Sequence, residues 1–305
     1  MLLVGEDKPC EFFARLRQIG LCLVKFDLER LWVYFKQKIA FLDGLVRANG
    51  DTYNLTGNLR CYGPLIREQR ICKSENEIAI IQYAMNLTLE VHRRAHAMIK
   101  PGVAASEVVR FIGEQHRALG ARGGSTFCIV SFGAATALPH GADGEQFYQP
   151  GDVVLVDTGC RIDGYHSDLT RTYMLDEPSK EFAQIWAIER EAQQAVFDAA
   201  RLGVPCSALD DAARAVLVRH GLGPDYKLPG LPHRAGHGLG LEIHEAPYIV
   251  RANPLPLTEG MCFSNEPMIV VPEQFGVRLE DHIYMTANGP KWFTLPSKSP
   301  VEPFA

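Results

Sequence analysis

From Ser74 onward the polar and apolar positions fall into helical register: Ile78, Ile81, Met85 and Leu89 recur at spacings of three and four until Pro101-Gly102 ends the run. Ser74 followed three residues later by Glu77 is a capping box, so a long helix is expected to open there. Helical spacing returns over 104–120, 179–202 and 206–221, with Ser207 and Asp210 as a further cap signal and Gly203 and Gly221 closing the last two stretches. Between them the pattern changes to β-rich runs. VVLVDTG (153–159) and DLTRTYML (168–175) flank RIDGYHS, whose Asp163-Gly164 pair reads as a turn. GMCFSNEPMIVV (260–271) and GVRLEDHIYMT (276–286) predict a second such pair around a loop. The expected fold class is α+β, an antiparallel sheet with helices on its outside. Residues 1–72 show no clear element and are expected to form a partial N-terminal accessory domain, leaving 73–305 as the main domain.

Composition narrows the function classes. A hydrophobic share of 47% in 305 residues is ample for a sizeable core. The net charge of −5, from 31 basic and 36 acidic residues without long like-charge runs, argues against nucleic acid or an anionic membrane as partner. A small molecule or peptide is the better expectation. The start, MLLVGEDKPC, lacks the pattern of a secretory signal and no run reaches membrane-span length, so a cytoplasmic protein is expected. The eight cysteines contain no CxxC pair and read as reduced thiols, mostly core filler.

Two features resemble sites and are set aside. His92 and His96 share a helix face, but Arg93 stands where a zinc peptidase would carry its general base, so a surface helix is expected there. GHGLG (236–240) lacks the spacing of a nucleotide-binding loop.

Three other segments carry the chemistry. Asp157 ends one apolar strand and Asp168 begins the next, so a hairpin can bring both carboxylates together. Alternation puts Leu155 and Asp157 on one face, and an inward carboxylate needs a cation or hydrogen-bond donors; a capped turn or an Arg171 ion pair would serve as well as a metal. His233, His237 and His244 are concentrated in a glycine-rich segment. Glu266 and Glu280 each interrupt a strand-like run and call for a counter-charge. Such an oxygen-rich set suits paired Mn²⁺, Co²⁺ or Zn²⁺ better than a structural zinc. Two such ions roughly 3.5–4 Å apart can activate water and polarise a carbonyl.

In order and spacing these residues resemble the pita-bread metallopeptidases, the group of Xaa-Pro aminopeptidase, prolidase and methionyl aminopeptidase. The resemblance covers about residues 73–287: D-x10-D at 157 and 168, H-x3-H-x6-H at 233, 237 and 244, NEP at 265–267, RLED at 278–281, and ALPHG with His140 seventeen residues before Asp157. It implies a pita-bread fold and two divalent ions held by Asp157, Asp168, His237, Glu266 and Glu280, with Asp168 and Glu280 bridging. It also implies that Glu266 moves the proton, that His244 stabilises the tetrahedral intermediate, and that His140 and His233 line the proline side. Arg278 would orient the site, and Arg251 stands in the loop where prolidases carry a carboxylate-binding arginine. The implied function is that of a Xaa-Pro dipeptidase, acting as a homodimer on small peptides with proline second. The alternatives are a Xaa-Pro aminopeptidase, a hydrolase of another small amide, a creatinase-type enzyme and a binding protein without metal. One position departs from the family: Val270 stands where E-P-G-x-Tyr places a tyrosine.

Overall fold

The computed structural model describes residues 67–304, so the expected accessory domain lies outside the described residues apart from 67–72. Helix α1 (Glu75–Met98) starts at the expected capping box: Ser74 Oγ accepts the Glu77 N–H and the Glu77 carboxylate accepts the Ser74 N–H at 2.9 Å. Helices α2 (Ala105–Ala118), α3 (Lys180–Ala199) and α4 (Cys206–Arg219) follow within a few residues of expectation.

The Ser207/Asp210 cap does not form. The helix opens at Cys206 behind Pro205, and Asp210 is buried, accepting from Arg214 at 2.7 Å and from the Ala235 N–H at 2.9 Å. A tertiary demand wins over the local one here, because Arg214 also donates to the carbonyls of Leu231 and His233 and so fixes the chain entering the histidine segment.

Strands β1 (Ser125–Phe132), β2 (Val154–Ile162), β3 (Tyr165–His166) and β4 (Leu169–Tyr173) form one antiparallel sheet, with β2 central. Helices α1 and α2 cover one face of it, packing Leu87, Val91, Val108 and Ile112 on Val154 and Val156. Each such side chain stabilises by about 1.5–3 kcal/mol on burial. A second sheet runs in the order β11-β10-β7-β5-β6, with β5 Gly236–Gly238, β6 Glu245–Ile249, β7 Cys262–Asn265, β10 Asp281–Thr286 and β11 Gly289–Trp292. Helices α3 and α4 cover that sheet through Ala192, Val196, Leu209 and Ala213 against Phe263 and Ile283. Among the described residues no helix is long and apolar enough to cross a membrane.

The second expected strand pair is real but broken. β7 pairs β10 with Asn265 opposite Asp281, while β8 (Met268–Val271) pairs β9 (Phe275–Arg278) with Met268 opposite Arg278. Both segments obey one register, so Glu266 stands opposite Glu280 at the interruption. Pro267 has no N–H to give a ladder. The main chain of Glu280 turns instead to β4, donating to the Thr170 carbonyl at 3.1 Å, which ties the two sheets together at this point.

The surface-helix expectation for His92 and His96 is corrected. His92 is buried, with Nε2 3.1 Å from the Leu169 carbonyl, and His96 packs on Tyr173 and Phe304. His92 belongs to the core beneath β4, and His96 is half-buried at its edge.

Candidate metal centre

The side chains of the site come from the interior of two strands, from the start of a third and from the break between two more. Asp157 lies in β2 opposite Thr170 of β4, on the face away from Val154 and Val156, as alternation requires. Asp168 sits just ahead of β4. His237 occupies the middle of β5 between two glycines, and the packing explains that sequence: a Cβ on Gly236 would lie 2.1 Å from the Ser264 carbonyl oxygen, and one on Gly238 2.3 Å from that of Ala246. Only a glycine–histidine–glycine strand can slide between β6 and β7 with its imidazole on the carboxylate side.

Four of the five expected ligands converge on one nitrogen, and the charge of the fifth, Asp157, acts on three of them. His237 Nε2 lies 3.2 Å from Glu266 Oε1, 3.7 Å from Asp168 Oδ2 and 3.9 Å from Glu280 Oε1. Its Nδ1 faces the Gly238 carbonyl at 3.1 Å, which leaves Nε2 as the outward lone pair. Thr170 Oγ1 donates to Glu280 at 2.7 Å and Ser264 Oγ to Glu266 at 3.1 Å. Arg278 is buried and spends its donors inside the site, on Asp157, on Thr170 Oγ1 and on the Pro139 carbonyl. Arg171, the alternative partner for the aspartates, faces the other way: it pairs with the fully buried Asp281 at 2.6 Å and donates to the Glu280 carbonyl at 2.8 Å. It supports the back of the site.

A divalent cation fits this cluster. Asp157 Oδ1, Asp168 Oδ1 and Glu280 Oε1 are buried without a hydrogen-bond partner, an expensive arrangement for carboxylates. Burial, then repulsion from the neighbouring carboxylates, pushes Asp168 and Glu280 well above the ordinary range; Glu266 is pushed up to about 7, chiefly by burial. Burial also holds His237 well below its ordinary value, so it stays a neutral ligand. Cations at this point would restore all three acids to their charged forms.

Raised acid values have a consequence for the metal-free protein. A folded state that keeps Glu266, Asp168 and Glu280 protonated binds more protons than the unfolded chain, so it loses stability as pH rises through the folded values. The buried histidines act oppositely, but only below about 6.5, where the unfolded chain takes up their protons. Between pH 6.5 and 8 buried carboxylates dominate: thermal melts of chelated protein should show Tm falling, and a saturating divalent ion should reduce the fall to the part that Glu189, buried outside the cluster and likewise held well above its ordinary value, contributes. A rising Tm over that window would contradict the arrangement.

The histidines assigned by resemblance surround this cluster. The His244 ring lies 4.0 Å from that of His237, at 63°, and is exposed. His233 places Nδ1 against the Arg234 carbonyl at 2.7 Å, while its buried Nε2 has no partner. His140 is exposed and close enough to His244 to lower its proton affinity. Arg251 is turned elsewhere: it pairs with the exposed Asp225 and with Asp211 at 3.4 Å. Arg234, not singled out in the sequence, lies nearer, since its charge acts on His233, His237, His244 and Glu266, and its guanidinium sits 4.9 Å over the Tyr248 ring. The loop carrying His244 is held by a buried clamp in which Lys73 Nζ reaches Glu245 at 2.8 Å and Arg70 pairs with Glu245 and Glu242. Val270 is packed in the apolar core, with no hydroxyl at its position.

Comparison with known proteins agrees with this geometry. The chain is 40% identical over 231 residues to the probable dipeptidase PepE of Mycobacterium tuberculosis, covering 74% of this chain and 59% of that one. It is 35% identical over 230 residues to the Xaa-Pro dipeptidase of Pyrococcus furiosus, covering 75% and 65%. Among solved structures, the prolidase from Pyrococcus furiosus matches with a TM-score of 0.73 at 35% identity, over 77% of this chain and 68% of that one. The X-Pro aminopeptidase from Thermotoga maritima matches with a TM-score of 0.72 at 32% identity, over 76% and 65%. The chain thus spans about 59% of the length of the first of these relatives. The description of metallopeptidase family M24 matches residues 79–287, which hold every candidate ligand above. This chain belongs to metallopeptidase family M24.

Proposed function

We propose that the protein hydrolyses the peptide bond before proline in Xaa-Pro dipeptides, using two divalent ions held by Asp157, Asp168, His237, Glu266 and Glu280. The observation that carries the metal part is the convergence of His237, Glu266, Asp168 and Glu280 within 3.9 Å of one imidazole nitrogen, with carboxylate oxygens left unpartnered. The preference for proline rests on ALPHG and the surrounding histidines, and on the names of the relatives.

The ions, when bound, would supply Lewis acidity and an activated water. The chain's own groups do the rest. Glu266, its carboxylate fixed by Ser264, can take a proton from water and return it to the leaving nitrogen. His244, its proton affinity lowered by burial, can donate a hydrogen bond to oxygen where negative charge develops. His233 offers its unpartnered Nε2 to the substrate. Residues 1–72 would form the accessory domain, with a homodimer as the working form in the cytoplasm; Mn²⁺, Zn²⁺ and Co²⁺ all suit the ligands.

A dipeptidase must also grip the carboxylate that follows proline, and an arginine does so through two parallel N–H bonds. Arg251 is already neutralised by Asp225 and Asp211, whereas Arg234 has no ion pair among the described residues and faces the cluster. Arg234→Met is therefore expected to lower kcat/KM for Ala-Pro by about 30- to 150-fold, the scale of a lost charge-assisted contact. Ala-Pro-amide should be nearly unaffected, and Arg251→Met should be near neutral on both. Equal losses on both substrates would remove Arg234 from this role, and faster cleavage of tripeptides than dipeptides by the parent would favour an aminopeptidase.

A further inference from the structure

We infer that His282 is an additional nitrogen ligand of the metal centre, donating to the ion that Asp168 and Glu280 hold. The inference rests on the metal reading above and concerns a residue outside the five-ligand motif. Along β10, side chains alternate, so Glu280 and His282 share a face while Asp281 turns back to Arg171, Gln193 and Thr294. Opposite His282 in the register stands Ser264, the residue that fixes Glu266 and accepts the His237 N–H. His282 therefore lies one pleat step from a ligand, on the ligand side of the sheet.

Its surroundings point the same way. The ring is fully buried; it faces the Asp168 backbone, and neither nitrogen makes a hydrogen bond of normal geometry. One nitrogen lies with a carboxylate oxygen of Asp168 and one of Glu280 so that all three are within 4.8 Å of one another, and the ring centroid is 6.1 Å from that of His237. Asp168 and Glu280 each bring a buried oxygen that is equally unpartnered. Buried ligand atoms left without partners are costly, and one divalent ion beside Asp168, Glu280 and His282 satisfies all three residues together. A second imidazole in an otherwise oxygen-rich set also shifts preference away from Mn²⁺ and toward Zn²⁺ or Co²⁺.

The test is X-ray absorption fine structure of the full chain, stripped with chelator and loaded with two equivalents of Zn²⁺. The expected outer-shell scattering is that of two imidazoles per pair of ions, falling to one in His282→Gln and unchanged in His244→Gln. His282→Gln should also weaken Zn²⁺ binding by about 10- to 100-fold, and Mn²⁺ binding by less, in direct titration. Scattering from a single imidazole in the parent overturns the assignment of His282 while leaving the five-ligand site intact, and it does so even if the variant fails to fold. Absence of bound zinc in the parent overturns the metal reading with it.

Discussion

Replacing Glu280 or Asp168 with alanine is expected to lower kcat/KM for a Xaa-Pro dipeptide by on the order of 10⁴-fold, about 5 kcal/mol of transition-state stabilisation. In the proposed site each would bridge two ions, and each sits within 4 Å of the His237 nitrogen, at the point where the carboxylates converge. The same substitutions should act on stability with the opposite sign. In the metal-free protein Asp168 and Glu280 are buried beside other acids and held well above the ordinary carboxylate range. Removing one relieves that repulsion, so the metal-free Tm should stay level or rise while the increase on adding metal disappears. Paired melts with and without a divalent ion check both halves. A variant that keeps stoichiometric metal and full turnover would refute the bridging assignment.

The second large effect is expected at His244. Its ring stands against His237 at the open side of the cluster, exposed, and its lowered proton affinity keeps it a neutral donor near pH 7. If its hydrogen bond strengthens only as charge develops on the carbonyl oxygen, His244→Ala lowers kcat by about 10²- to 10³-fold and leaves KM within a small factor. Steady-state kinetics at pH 7 on a Xaa-Pro dipeptide separates the two constants. A change confined to KM would make His244 a substrate-binding residue.

Much of this site was legible in the sequence because its determinants are local. The capping box at Ser74–Glu77, the alternation that turns Asp157 inward, and the glycines around His237 are all properties of short segments, and each appears in the fold. The break in the second strand pair was missed because the run reads as continuous β structure, although Pro267 marked the place. What sequence could not supply was which buried charge meets which across the fold. Arg171 and Arg278 are similar letters near the same acids, yet one braces Asp281 behind the sheet and the other enters the cluster to hold Asp157. Arg93 beside His92 points to a surface position, but α1 turns His92 into the core beneath Leu169. Arg234 and His282 lie within or beside the motifs without standing out in the sequence, because proximity to the site is set by strand register and loop path rather than by residue type.

The most direct test of the proposed function is hydrolysis of Ala-Pro and Ala-Ala by the full chain, first chelated and then titrated with Mn²⁺, Co²⁺ or Zn²⁺. The expected result is no turnover of either dipeptide without metal, activity on Ala-Pro that saturates at two ions per chain, and at least about tenfold slower cleavage of Ala-Ala. Undiminished activity after chelation, or equal rates on the two dipeptides at metal saturation, would contradict it.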